Sequence, residues 1–187
     1  MELRNKTILF LGSSVTYGSA AGGISFVDII QDLCQSVCIK EAVSGTTLAD
    51  INEQSYVSRL KTVDANKHID LFVCQLSTND ATRKIELSKI EEAIRYILDY
   101  VKITFGCPII FYTGTRYKSE EYERMIDLLY KLKREYSFEI LDLFNDGQML
   151  KISQEDYKKY MQDPIHPTLL GYKEWWTPKF IDLLERI

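Results

Sequence analysis

The chain has 187 residues, 45% of them hydrophobic and 27% charged, which is ordinary for one globular domain, residues 1–187, with a substantial core. Its formal net charge is −4, so we expect neither a nucleic acid nor an anionic membrane surface as a partner. No stretch approaches the ~18 apolar residues of a membrane-spanning helix, which predicts that the protein does not insert into a membrane. The apolar run before Gly12 is shorter than the roughly 7–15 residues of a signal-peptide core, and this predicts a cytoplasmic location.

Along the chain, short runs rich in β-branched and aromatic residues alternate with helical patterns. In order, the patterns predict a strand at 7–11, a helix within 24–37, a strand at 37–43, a helix within 48–60, a strand at 70–76, a helix at 87–101, a strand at 108–112, a helix at 122–132, a strand at 138–143 and a last helix from about residue 169. Ser88 with Glu91 resembles a capping box, and Ser119 is a candidate N-cap. Pro178 is expected to kink or break the last helix.

Strands that alternate with helices are typical of a parallel sheet covered on both faces. Right-handed crossovers favour the strand order 2-1-3-4-5. The sequence therefore predicts an α/β fold with three layers, α/β/α, built on a flavodoxin-like parallel five-stranded sheet. Ligands of such sheets bind beyond the carboxyl ends of the strands, so we expect the functional residues directly after the strands.

Four polar segments occupy such positions, at 12–16, 44–46, 77–80 and 163–166, and we expect them to meet at one edge of the sheet. Ser14 in the first segment supplies a hydroxyl, which is a weak nucleophile unless a base removes its proton. His166 is the candidate base, because an imidazole can take up a proton near neutral pH. Asp163 lies three residues earlier and is the candidate group that orients the imidazole and stabilises its charge.

A serine hydrolase also needs fixed hydrogen-bond donors for the oxyanion of its tetrahedral intermediate. The candidates are the N–H of Ser14, the N–H of Gly45 and the side-chain amide of Asn79. A glycine at position 45 lets an acyl group approach the backbone closely. Each of these residues alone is also explained by a turn or a helix cap. Their conjunction at one sheet edge is what favours a Ser-His-Asp mechanism.

Four further residues are candidate substrate contacts. Tyr17 and Thr78 flank the proposed catalytic positions, and Arg116 and Tyr117 follow the fourth predicted strand at the same edge. An exposed loop with an aromatic residue packed on it explains the last pair equally well. At the level of the sequence, both interpretations of these residues therefore stay open.

His68, the only other histidine, precedes the third strand and so falls at the amino end of the sheet, where we expect a surface role. The same topology selects His166 as the base. No CxxC pair is present, and two histidines give little support to a metal site, so we expect no metal. Buried, reduced thiols are expected of the four cysteines, which are Cys34, Cys38, Cys74 and Cys107.

The segments around these residues resemble the conserved blocks of the SGNH/GDSL hydrolase family, the GDSL-like lipases and acylhydrolases. Residues 12–18 (GSSVTYG) resemble the first block, usually written G-D-S, and Gly45 matches the glycine of the second. Residues 77–80 (STND) resemble the third block, G-x-N-D. Residues 163–171 (DPIHPTLLG) closely resemble the fifth block, D-x-x-H-P followed by a helix glycine. The resemblance spans residues 7 to about 180.

The resemblance implies a hydrolase that uses neither a metal nor a cofactor. It implies a catalytic triad of Ser14, His166 and Asp163. It also implies an oxyanion hole formed by the Ser14 amide, the Gly45 amide and the Asn79 side chain. These are the groups that the sheet topology selected.

Two residues depart from the family pattern. Ser13 stands where the first block usually has Asp, and Ser77 stands where the third block usually has Gly. Neither position makes or breaks a bond in the family mechanism, so the chemistry is expected to survive. Ser13 is a rival nucleophile, but the register of Gly12, Ser14 and Thr16 favours Ser14.

The sequence predicts a serine esterase that cleaves short acyl esters, with acetyl esters among them, of a small molecule or carbohydrate. A compact chain without a lid insertion favours small polar esters over lipids. An acyltransferase on the same triad is an alternative, since both reactions share the acyl-enzyme step. A non-catalytic, flavodoxin-like module that binds a phosphorylated ligand at 12–18 is another, although neither GxxxxGK[ST] nor GxGxxG is present.

Overall fold

A parallel sheet forms the centre of the computed structural model, which describes residues 2–187. Its strands are β1 (Thr7–Gly12), β2 (Val37–Ala42), β3 (Leu71–Gln75), β4 (Ile109–Tyr112) and β5 (Glu139–Leu141). The order across the sheet is β2-β1-β3-β4-β5, and every neighbouring pair is parallel. The predicted fold class and strand order are confirmed, with strand ends that differ by one or two residues.

Helices cover both faces of the sheet. They are α1 (Ser14–Tyr17), α2 (Phe26–Cys34), α3 (Tyr56–Leu60), α4 (Thr78–Thr82), α5 (Leu87–Thr104), α6 (Glu120–Lys133), α7 (Gln154–Tyr160), α8 (Leu169–Gly171) and α9 (Thr177–Arg186). A π-helical segment, Tyr172–Trp176, joins α8 to α9. The apolar stripe of α5 is buried from Ile90 to Val101, although Leu87 at its start is exposed, and the stripe of α6 is buried throughout. Ser119 caps α6 by accepting the N–H of Tyr122 at 3.2 Å.

Two apolar layers hold the sheet, because successive residues of a strand point to opposite faces. Leu9 and Phe72 enter one layer, where the apolar stripes of α5 and α6 cover the sheet. Phe10 enters the other layer, which α2 and α9 complete. In this second layer the ring of Phe26 stacks on that of Phe180, with 4.0 Å between the ring centroids. Packing on both faces fixes the strands and so fixes where the loops at their carboxyl ends begin.

The helix predicted within 48–60 is wrong in its first part, because only α3 is helical there. The N–H groups of Leu48 and Ala49 donate to the carboxylate of Asp80 at 2.8 and 2.9 Å. These bonds hold the start of the segment against α4 as a loop. Ser55 is the N-cap at which the helix then starts.

One predicted helix signal is also wrong. α5 begins at Leu87 with Glu86 as its N-cap, so Ser88 lies within the first turn and forms no capping box with Glu91. The last helix, by contrast, is interrupted next to Pro178, as expected. The chain winds as a π-helix just before this residue, so Pro178 falls in the first turn of α9, where a missing N–H is tolerated.

The four cysteines are free thiols, and only Cys74 is buried as predicted. Cys34, Cys38 and Cys107 are partly exposed, so the expectation of burial is wrong for these three. Within residues 2–187, no helix is both long enough and apolar enough to cross a membrane. The same part of the chain has no group of three or more His, Cys, Asp or Glu side chains arranged to hold a metal ion.

Candidate active site

The first strand places Ser14 at the carboxyl edge of the sheet. β1 ends at Gly12 and α1 begins at Ser14, so this residue lies at the N-terminus of a short helix. Its Oγ lies 2.8 Å from Nε2 of His166, although 152 positions separate the two residues in sequence. Ser14 is 8% exposed. The first N–H groups of a helix have no partner within it, so the N–H of Ser14 is free to bind an oxygen at this edge.

Asp163 holds His166 through both side-chain oxygens. Its Oδ2 lies 2.8 Å from the ring Nδ1, and its Oδ1 accepts the N–H groups of Ile165 and His166 at 2.7 and 2.8 Å. Partial burial acts to raise the pKa of Asp163, but these hydrogen bonds outweigh it and hold the pKa below its usual value. The carboxylate is therefore charged at neutral pH. The other histidine, His68, has a side chain that is 83% exposed beside Asp70, at the amino end of the sheet as predicted.

A tight turn presents this pair to Ser14. The N–H of Gln162 donates to the carbonyl of His166 at 2.8 Å, and the N–H of Thr168 donates to that of Tyr160 at 2.9 Å. A Cβ atom at Gly171 would collide with the carbonyl oxygen of Tyr160. Only glycine lets the last helix begin this close to the turn, which gives the glycine of the fifth block a physical reason.

Ser13 is not paired with His166. It is fully buried, and its N–H donates to Oε1 of Gln75 at 2.9 Å. Its Oγ lies 3.4 Å from the same oxygen. Ser13 thus belongs to a buried polar network beneath the site, and Ser14 is the serine that lies next to the imidazole.

Sequence reasoning missed the centre of that network, Gln75, which also accepts the hydroxyl of Thr16 at 2.9 Å. The Thr16 hydroxyl in turn lies 2.6 Å from that of Tyr112. A Cβ atom at Gly12 would collide with Thr16 and approach Oε1 of Gln75 to 2.8 Å, so the network requires glycine there. The available signal was one polar residue at the end of an otherwise apolar strand.

The two other candidate oxyanion donors lie on the Gly45 loop and in α4, which are bonded to each other. Gly45 has a φ of +79°, a conformation that residues with a side chain rarely adopt. The amide of Asn79 donates to the carbonyl of Thr46 at 2.9 Å, which holds Asn79 against the Gly45 loop. An amide carries two N–H groups, and this contact uses one of them. Asp80, whose pKa is raised by burial, anchors the following residues of the same loop.

Of the two predicted substrate contacts in α1 and α4, one side chain is exposed and one is buried. Tyr17 lies three residues after Ser14 and is 44% exposed, with Nζ of Lys40 5.8 Å from the centre of its ring. Thr78, the first residue of α4, is buried. The exposed ring of Tyr17 can therefore meet a ligand, whereas Thr78 packs beneath the surface.

The two candidates after β4 also differ. Arg116 is exposed, and its guanidinium lies 5.0 Å from the ring centre of Phe144 and donates to Asn145 at 3.0 Å. Tyr117 packs with its ring centre 5.2 Å from that of Tyr122. Burial raises the pKa of Tyr117 to about 12. Arg116 thus lies at the surface of the site, and Tyr117 contributes to packing.

A cavity of about 510 Å³ lies beside the turn that carries Asp163. Asp163 and Pro164 form part of its wall. Buried apolar side chains form its floor and exposed polar ones its rim. The floor contains Met149, Met161 and Trp175, and the rim contains Arg116, Gln154 and Lys158. The cavity can hold an organic group with both apolar and polar faces.

The segment at 12–18 does not have the form that the phosphate-binding alternative requires. α1 is only four residues long, and Gly18 ends it in a left-handed conformation with a φ of 92°. A helix of one turn contributes little of the dipole that favours a phosphate at a helix N-terminus. The geometry around Ser14 is instead that of a hydroxyl paired with an imidazole.

Solved structures share this fold over nearly the whole chain. A member of the lipolytic protein G-D-S-L family from Veillonella parvula has 12% identity and a TM-score of 0.79, and the match covers 97% of this chain and 100% of that one. Axe2, an acetylxylan esterase from Geobacillus stearothermophilus, has 17% identity and a TM-score of 0.73, with 97% and 95% covered. A family two carbohydrate esterase from Clostridium thermocellum has 14% identity and a TM-score of 0.71, with 97% and 65% covered. At these identities the likeness shows the fold.

Sequence comparison identifies the family. No curated protein sequence is significantly similar to this chain. The model of the GDSL-like lipase/acylhydrolase family, however, matches residues 10–174, which include the segments of Ser14, Gly45, Asn79 and His166. The chain therefore belongs to the GDSL-like lipase/acylhydrolase family and is a hydrolase that acts on ester bonds.

Proposed function

We propose that this enzyme hydrolyses short-chain acyl esters through an acyl-enzyme on Ser14. The observation that carries the proposal is an unbroken chain of two 2.8 Å contacts, from Ser14 Oγ to His166 Nε2 and from His166 Nδ1 to Asp163 Oδ2. His166 removes the Ser14 proton as Oγ attacks the acyl carbon, then gives that proton to the departing alcohol. Water repeats the sequence on the acyl-enzyme and releases the acid. The charged Asp163 stabilises the protonated imidazole throughout.

The oxyanion of each tetrahedral intermediate is held by three donors in this proposal. They are the N–H of Ser14, the N–H of Gly45 and the remaining side-chain N–H of Asn79. The contact of Asn79 with Thr46 supports it, because this contact fixes the amide against the Gly45 loop before substrate binds. One sheet positions all of these groups, so we propose that residues 1–187 act as a single catalytic domain.

The cavity beside Asp163 supports a short acyl group on a larger alcohol. His166 must protonate the leaving oxygen, so the alcohol lies on the His166 side of the ester. We assign the alcohol to the cavity of about 510 Å³ whose wall contains Asp163 and Pro164. Its apolar floor and polar rim suit a carbohydrate or a comparable small molecule. The fold shared with an acetylxylan esterase makes acetylated carbohydrates the first natural esters to test.

The test is hydrolysis of p-nitrophenyl acetate, butyrate and octanoate by the wild type, Ser14→Ala and His166→Ala. Each variant is expected to lose on the order of 10⁴-fold or more in kcat while remaining folded by circular dichroism. Ser13→Ala is the matched control, because Ser13 is adjacent in sequence but bonded to Gln75. It should stay within about threefold of the wild type. Full activity in Ser14→Ala, or no wild-type activity on any acyl ester or thioester, would overturn the proposal.

A dependence of the rate on the alcohol tests the placement of the leaving group. Acetyl esters of mono- and disaccharides are compared with ethyl acetate, in the wild type and in Met161→Trp, which fills the floor of the cavity. A selective rise in KM for the sugar esters is expected, with ethyl acetate unaffected. If KM rises instead for esters with longer acyl chains, the cavity holds the acyl group.

A further inference from the structure

A buried arginine joins the loops that meet at the candidate site. Arg59 lies in α3 and is only 5% exposed. Its NH2 group donates to the carbonyl of Gly12 at 2.8 Å and to the hydroxyl of Thr46 at 3.2 Å. Its NH1 group donates to the carbonyl and the carboxylate of Glu41 at 2.8 and 3.1 Å, and its Nε donates to the carbonyl of Gln54 at 3.0 Å. One guanidinium therefore binds three backbone carbonyls, one hydroxyl and one carboxylate.

Two of these acceptors belong to the segments that carry the proposed oxyanion donors. Gly12 ends β1 two residues before Ser14, so its carbonyl fixes the start of the nucleophile turn. Thr46 follows Gly45 directly. The bond from Arg59 to Gly12 thus holds the first loop, and the bond to Thr46 holds the second.

Thr46 also contacts the third donor, Asn79. The carbonyl of Thr46 accepts the amide of Asn79 at 2.9 Å, while its hydroxyl accepts Arg59. The Gly45 loop is held by Arg83 as well, which donates to the carbonyl of Gly45 at 2.8 Å. Arg59 differs from Asn79 and Arg83 because it also binds Gly12.

We propose that Arg59 is a positioning residue for the oxyanion hole, one that sets the spacing of the Ser14, Gly45 and Asn79 donors without touching substrate. This inference rests on the proposed function. Donors help an oxyanion only when they are already in place as its charge develops, and a misplacement of about 1 Å costs roughly 100-fold in rate. A planar guanidinium carries five donors on three nitrogens in a fixed fork, whereas the three donors of a lysine radiate from one nitrogen, so arginine can hold acceptors that lie further apart.

The surroundings of Arg59 fit a permanent cation at this place. Glu41 supplies the opposite charge at 3.1 Å, and the ring of Tyr56 lies 5.3 Å from the guanidinium carbon. A buried charge needs such partners, because its desolvation is otherwise unfavourable. Glu41 and Tyr56 therefore stabilise the charge of Arg59. Three carbonyls and one hydroxyl accept the remaining N–H groups of its guanidinium.

Arg59→Lys tests the inference. A lysine keeps the charge, but its one nitrogen cannot replace the three that bind Gly12 with Thr46, Glu41 and Gln54, so we expect kcat to fall about 10- to 100-fold with KM within about threefold. A purely structural role would lower the melting temperature while leaving kcat per folded molecule unchanged. Rates are therefore divided by the folded fraction from circular dichroism. Arg95→Lys is the matched control, since Arg95 also binds several side chains but contacts none of the three donor loops.

A second variant covers the case in which Arg59→Lys does not fold. Thr46→Val keeps the side-chain shape but removes both the acceptor of Arg59 and a bond from the hydroxyl to the carbonyl of Val43 at 2.7 Å, while Thr46→Ser keeps the hydroxyl. The expected result is a roughly 3- to 10-fold lower kcat in Thr46→Val, restored in Thr46→Ser. Unchanged kcat in folded Arg59→Lys or in Thr46→Val overturns the inference. A wild type that hydrolyses no ester faster than Ser14→Ala overturns the proposed function instead, so the two failures are distinct.

Discussion

Gln75→Leu should destabilise the turn that carries Ser14, because Oε1 of Gln75 accepts two hydrogen bonds from that turn. This oxygen accepts the N–H of Ser13 at 2.9 Å and the hydroxyl of Thr16 at 2.9 Å. Leucine has nearly the same volume but no acceptor. The Ser13 N–H would then be buried without a partner, while the Thr16 hydroxyl would keep the hydroxyl of Tyr112 at 2.6 Å.

The magnitude follows from these contacts. A buried N–H left without an acceptor costs about 1–3 kcal/mol, and loss of one of two bonds to a hydroxyl costs about 0.5–1.5 kcal/mol. Part of this is offset, because Nε2 of Gln75 has no hydrogen-bond partner among the described residues and leucine removes it. The net expectation is about 2 kcal/mol of lost unfolding free energy. For a chain of this length that lowers the melting temperature by about 4–8 °C.

Urea unfolding followed by circular dichroism measures the free energy of unfolding. The kcat of p-nitrophenyl acetate hydrolysis reports whether the turn still places Ser14 next to His166. We expect kcat of Gln75→Leu to fall about 10- to 100-fold with little change in KM, because Ser14 is displaced from His166. Ser13→Ala is the control, since it keeps the N–H bond and loses only the 3.4 Å contact of its hydroxyl. If Gln75→Leu melts like the wild type and keeps its kcat, the reasoning is refuted.

Three further predictions concern the turn at Gly171, the carboxylate of Asp163 and the carboxylate of Asp70 at the amino end of the sheet. Gly171→Ala should cost about 1–3 kcal/mol of stability and lower kcat, because its Cβ meets the carbonyl of Tyr160; an unchanged urea midpoint would contradict this. Asp163→Asn should lower kcat by on the order of 10⁴-fold with the protein still folded, and a loss under tenfold would remove Asp163 from the triad. Burial acts to raise the pKa of Asp70, but the Thr7 N–H and the neighbouring cations lower it overall. Its carboxylate therefore stabilises the fold above the unfolded pKa of about 3.9, and that contribution is lost as pH falls through the folded pKa. Urea titrations of wild type and Asp70→Asn should differ at pH 7 and converge in acid, and an equal difference at every pH would contradict this.

Much of the site could be expected from the sequence because parallel strands impose a common direction. Residues that follow parallel strands lie at the same edge of the sheet, so Ser14 and Asn79 were both expected at that edge. The pattern Asp163-x-x-His166 places carboxylate and imidazole three residues apart, where a tight turn brings them together. Local chemistry and topology were sufficient here, and the structure brings these groups together.

The interactions that brace the site could not be expected, because their partners are far apart in sequence. Gln75 binds Ser13 across 62 positions, and Arg59 binds Gly12 across 47. A glutamine at a strand end or an arginine in a helix carries no local signal of such a partner. The false helix within 48–60 has the same origin, since its apolar pattern is helical but Asp80, in another segment, binds Leu48 and Ala49 and holds them in a loop.

The most direct test of the account is covalent labelling of the nucleophile. The enzyme is treated with a fluorophosphonate, which phosphonylates activated serines, and the modified peptide is sequenced by mass spectrometry. We expect one adduct, on Ser14, and labelling at least about 100-fold slower in His166→Ala, because the base no longer accepts the proton. An adduct on Ser13 or elsewhere, or undiminished labelling in His166→Ala, would contradict the assignment of Ser14 and His166 as nucleophile and base.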